Sequence, residues 1–141
     1  MTQLQAFLLP IFLHVLLVVY VGFRTITARV NSVQSRETRL KNIALDPSGW
    51  PPQIRKLGNN FDNQFDMPMM WYALSGLVVA TARLDTALVV LAWAFLVARV
   101  IHALIHTGSN NIPRRMFAYL GGFAALLAMW VWFAVRLFWL G

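Results

Sequence analysis

Cysteine is absent from the 141 residues, which removes disulfides, thiolate metal sites and a protein thiol nucleophile. Acidic residues are scarce: five Asp and Glu stand against twelve Lys and Arg, a formal net charge of +7. Charge of either sign is thin, 12% of the chain, where a soluble domain carries about a quarter. Also missing are a Gly/Ser-rich linker, a low-complexity tract and an internal repeat, so a single domain over residues 1–141 is expected. No phosphate loop or dinucleotide fingerprint occurs, and Ser75 and Ser109 have no convincing triad partners. What the chain has instead is apolar surface: 59% hydrophobic residues and a mean hydropathy of +0.61, the composition of a membrane protein. A basic chain can bind nucleic acid, but only with an exposed basic face on a soluble fold. Here the cations fall between apolar runs, so anionic lipid headgroups are the natural counter-charge and no nucleic-acid partner is expected.

Crossing ~30 Å of hydrocarbon takes about 20 helical residues, and four segments qualify. They are expected at about 4–23, 60–82, 86–107 and 113–140, giving an all-α integral membrane four-helix bundle. The first lacks a basic n-region and a small-residue cleavage site, so it reads as a retained span and not a signal peptide. The second has a short apolar core, MPMMWYALSGLVVATA, and its helix is expected to begin upstream within Asn59–Asp66. Asp85 is placed to cap the third and Gly108 to end it. Pro113 suits the first turn of the fourth. Tryptophans 71, 93, 130, 132 and 139 are expected at lipid-facing or interfacial positions. The polar, basic stretch 24–58 carries Val30, Val33, Leu40 and Ile43 at roughly helical spacing, as an extension of the first helix would. DPSGWPP at 46–52 then breaks it.

Orientation follows from the positive charges. With four spans, residues 24–58 and 108–115 lie on one side, carrying Arg24, Arg29, Arg36, Arg39, Lys41, Arg55, Lys56, Arg114 and Arg115. The other side has Arg83 and Arg136. This asymmetry places the loop 24–58 in the cytoplasm and both termini on the opposite side of the membrane.

That topology gathers polar residues into the cytoplasmic half. Arg99, His102 and His106 lie in one stripe of the third span, at i, i+3 and i+7. Asn59, Asp62, Asn63 and Asp66 share a stripe at the start of the second. Arg115 and Tyr119 are i, i+4 neighbours in the fourth. An arginine deep in a span costs about 2.5–3.5 kcal/mol on insertion scales, and Asp66 is the carboxylate at similar depth, so an Arg99–Asp66 pair is expected. His14 stands alone on its helix and reads as structural or lipid-facing. Such a cluster either glues helices together or binds a polar anionic ligand. No zinc-type spacing accompanies the histidines, so no metal is expected.

At these residues the sequence resembles the MAPEG family, the membrane-associated proteins in eicosanoid and glutathione metabolism, in a small bacterial form. NQFDMP (63–68) is similar to its Asn-x-x-Glu/Asp followed closely by proline, ARVIH (98–102) to its third-span Ala-Arg-x-x-His, and IPRRMFAY (112–119) to its Pro-x-Arg segment with a tyrosine four residues on. The resemblance implies a homotrimer that binds glutathione as cosubstrate near the cytoplasmic face and turns its thiolate on a lipophilic small molecule. On that basis Arg115 faces the sulfur with Tyr119 as auxiliary donor, and Arg29, Asn63, Asp66, His102 and His106 bind the peptide. Two departures stand out: Asn59 and Asp62 replace arginines that family enzymes carry, and His106 replaces a tyrosine. Two readings stay open, a glutathione transferase or peroxidase and a non-catalytic member binding a lipid-like or anionic ligand.

Overall fold

The computed structural model describes residues 1–139. It is helical throughout: α1 (Gln3–Gln34), α2 (Leu40–Ile43), a 3-10 turn (Pro47–Gly49), α3 (Pro52–Asp62), α4 (Met67–Ala80), α5 (Thr86–Thr107) and α6 (Ile112–Phe138). Three of these, α1, α5 and α6, are long and apolar enough to cross a membrane.

α1 starts on a reciprocal cap, with Thr2 Oγ1 accepting from Gln5 N–H and Gln5 Oε1 from Thr2 N–H. Its 32 residues make a rod of about 48 Å at 1.5 Å per residue, so the expected continuation beyond the first span holds for Val30 and Val33. The helix ends at Gln34, however, before 46–52, and Leu40 and Ile43 fall on the separate α2. α5 runs over the expected 86–107, with Asp85 Oδ1 accepting from Leu88 N–H at 3.0 Å and Gly108 at its end. α6 is capped by Asn111 and has Pro113 in its first turn; the expected end at Leu140 lies outside the described residues.

The second span departs from expectation. It is not one helix from residue 60 to 82 but two, α3 and α4, parted by a turn at Asn63–Asp66. Proline explains the break. Pro68 has no N–H to give an upstream carbonyl and its ring crowds the preceding backbone, which suits it to the first turn of α4 and disfavours continuation from α3, although α1 does run through Pro10. α4, with 14 residues, is about 21 Å long, and the second layer is completed by α3 in tandem.

The core lies where α1, α4, α5 and α6 meet, built by Phe7, Trp71, Leu74, Leu88, Phe95 and Met129 among others. Trp71 corrects the expected lipid-facing role: it is fully buried, its ring 4.8 Å from that of Phe95 and 5.8 Å from His14. Trp93 is half-buried and ties α5 to α1, Nε1 donating to Ala6 O at 2.9 Å. α1 approaches α3 closely at Gly22, where a β-carbon would lie 2.9 Å from the Phe61 ring.

Candidate functional site

The break in the second span organises the polar end. The turn after α3 meets its last carbonyls, with Asn63, Gln64 and Phe65 N–H reaching Asn59, Phe61 and Asp62 O. It leaves over the carbonyl of the C-cap residue Asn63, at a helix end that carries partial negative charge. Arg99 on α5 fills that need: Nη2 donates to Asn63 O at 2.6 Å and to Gln64 Oε1 at 3.3 Å. The expected Arg99–Asp66 ion pair does not form, since among the described residues the ion pair is Arg136–Asp85. Asp66 is exposed at the N-cap of α4, while Arg99, 1% exposed, is turned inward to the carbonyls.

Gln64, missed in the sequence, is the hub. Its Nε2 donates to Asn60 O at 2.9 Å and Oδ1 at 3.3 Å, while Oε1 accepts from Arg99. Arg99 can only donate and a backbone carbonyl can only accept, so the orientation of this amide is determined. Its Oε1 also lies 3.3 Å from His14 Nε2, which makes Nε2 a donor. His14 Nδ1 is hydrogen-bonded to the Tyr72 hydroxyl. His14 is not a lone or lipid-facing residue: it is fully buried and links α1 to the break and to α4.

Two clefts open beside this framework. The first, about 510 Å³, is lined by Gln53, Arg55, Lys56, Asn59, His106 and Arg115 with the Gly108–Asn110 turn. The second, about 390 Å³, is lined by Asn63, His102, Ile112, Arg115, Met116 and Tyr119. Arg115 belongs to both. The His102 ring lies 5.5 Å from that of His106 and 5.9 Å from that of Tyr119, and His102 Nδ1 is buried without a partner. Asn63 Nδ2 approaches His106 Nδ1 at 3.5 Å.

The structure thus brings together Asn63, His102, His106, Arg115 and Tyr119. Arg29 and Asp66 line neither cleft. The Arg29 guanidinium lies over Trp50, 5.4 Å from the ring centroid, in space left by Gly58, whose β-carbon would come within 2.8 Å of Nη2. This reach to the returning loop is what α1 geometry permits at that position. Conversely, Arg55 and Lys56 line the first cleft. They sit at i−4 and i−3 from Asn59 and so share its helix face. That periodicity was the available signal for two cations on the face of Asn59.

A helical membrane bundle with a cation-rich end and clefts meeting at one arginine is the class these features define. The family is narrower: the MAPEG family model matches residues 7–135, and the chain belongs to that family. Comparison with curated proteins and with solved structures gives no match.

Proposed function

We propose that this integral membrane protein is a glutathione-dependent transferase or peroxidase acting on hydrophobic electrophiles from the bilayer, assembled as a homotrimer with its clefts toward the cytoplasm. The observation that carries the reading is the place of Arg115, on the wall common to a cationic, carboxylate-free cleft and a cleft with an apolar side. The first cleft fits a peptide with two carboxylates: Arg55 and Lys56 provide counter-charges, and Gln53 and Asn59 provide amide donors. The second offers Ile112 and Met116 to a lipophile beside Tyr119 and His102.

Glutathione, when bound, supplies a thiol whose conjugate base is the nucleophile. The chain's part is electrostatic. A free thiol titrates near pH ~8.5, and neighbouring cations and donors lower that value. Arg115 holds the sulfur in its charged form and Tyr119 donates a hydrogen bond on the membrane side. In a transfer the sulfur forms a bond to the electrophilic carbon and the leaving group departs with its electron pair.

Purified protein titrated with glutathione should develop the ultraviolet thiolate band. Arg115→Ala should weaken that band by at least about tenfold, the weight of one charge-assisted contact, without changing the oligomer seen by size. Arg55→Ala and Lys56→Ala should raise the dissociation constant with the band intact at saturation. Absence of the band and of calorimetric heat at millimolar glutathione would overturn the enzyme reading in favour of a ligand-binding member.

A further inference from the structure

The turn from α5 to α6 contains a residue that belongs to no motif. Asn110 has φ 51°, in the left-handed region that glycine adopts freely and asparagine tolerates best among the rest. The turn needs this geometry, because Asn110 N–H then reaches Ile105 O at 2.7 Å and completes the end of α5. The adjoining groups are occupied elsewhere: Asn111 Oδ1 accepts from Arg114 N–H at 3.0 Å to cap α6, and Gly108 O accepts from Lys56 Nζ at 3.1 Å.

For the backbone alone, glycine would serve at position 110 at least as well. What asparagine adds is its side chain, whose Oδ1 accepts from Arg115 Nη1 at 2.8 Å. Among the described residues this is the one hydrogen bond made by the Arg115 guanidinium, and no carboxylate pairs with it. An amide oxygen holds a guanidinium in place without cancelling its charge. An aspartate would hold it equally well and neutralise it.

We propose that Asn110 is a positioning residue, fixing the Arg115 guanidinium on the wall shared by the two clefts while leaving its positive charge available to an anionic ligand. The inference rests on the reading of Arg115 as the sulfur-facing cation. Its test therefore pairs a readout that does not depend on glutathione with one that does.

Asn110→Gly keeps the left-handed turn and removes only the amide. Modification of Arg115 by phenylglyoxal, followed by peptide mass spectrometry, should run severalfold faster in Asn110→Gly than in the parent at an unchanged thermal midpoint. Asn110→Asp should protect Arg115 as the parent does. With glutathione, Asn110→Gly should lose on the order of tenfold in kcat/KM, with a raised apparent pKa of the bound thiol. Asn110→Asp should keep the geometry but bind glutathione more weakly by a similar factor. Parent-like labelling of Arg115 in Asn110→Gly, or a loss confined to thermal stability, would overturn the proposal. If labelling behaves as expected while the parent shows no thiolate band, the positioning role stands and the glutathione reading fails.

Discussion

Arg99 illustrates how a buried charge is met in this protein without a counter-charge. Its partners are the carbonyl of Asn63 and the amide oxygen of Gln64, two dipoles exposed by the end of α3. The helical stripe that holds Arg99, His102 and His106 was legible, because a period of 3.6 residues decides which side chains share a face. The partner of Arg99 was not, because it is a backbone carbonyl freed only when the second span breaks. His14 and Gln64 were hidden for the same reason: each is unremarkable on its own segment and they meet only across 50 residues of chain. Arg99→Met leaves Asn63 O without a donor, at about 1–3 kcal/mol, while Gln64 Oε1 keeps His14 Nε2. Arg99 has unmet donors of its own, Nε and Nη1, so the net loss should fall at the low end of that range. Thermal unfolding in detergent should show the lower midpoint, and glutathione affinity should fall with it as Asn63 loosens, whereas Arg115→Ala should weaken the thiolate band at an unchanged midpoint. Unchanged stability in Arg99→Met would refute the account of the break.

Among the elements, one carboxylate ties α5 to α6 at the far end of the bundle. Asp85 caps α5 at Leu88 N–H and accepts from Trp132 Nε1 on α6 at 2.7 Å, with Arg136 Nε at 3.6 Å. The cap could be read from the sequence, since an aspartate before an apolar run is its local signature. Its bond to Trp132 joins positions 47 apart, and no local pattern encodes that. The arginine contact is long and partly exposed, and ion pairs of that kind contribute little. The cap and the indole bond therefore dominate. Asp85→Ala should cost about 1–2 kcal/mol through the lost cap, measured as a lower unfolding midpoint. Asp85→Asn, which keeps an acceptor, should recover most of it. Neither should change ligand affinity, because Asp85 lies at the opposite end of α5 from His106; a coupled loss of affinity would show that the two ends are not independent.

For the whole molecule, the exposed surface divides by chemistry. Between Leu9 and Val19 on α1, Val90 and Leu104 on α5, and Leu120 and Val131 on α6, the exposed side chains are all apolar, as hydrocarbon requires. Beyond them the cationic clefts occupy one end. The charge asymmetry of the loops points that end toward the cytoplasm, and the absence of cysteine makes the orientation directly testable. A single cysteine at Ser109, exposed beside the first cleft, should be labelled in intact cells by a permeant maleimide and not by an impermeant one. A cysteine at Thr2, exposed at the opposite end, should react with both. Neither site carries a core contact, although Thr2 caps α1, so a cysteine inserted directly after Met1 provides a second marker at that end. The same pair distinguishes glutathione drawn from the cytosol from a ligand reaching the clefts from outside. If Ser109→Cys reacts with the impermeant reagent while Thr2→Cys does not, the bundle is inverted. The cationic clefts would then face away from the compartment where glutathione is abundant, and the case for it as cosubstrate would fall with the topology.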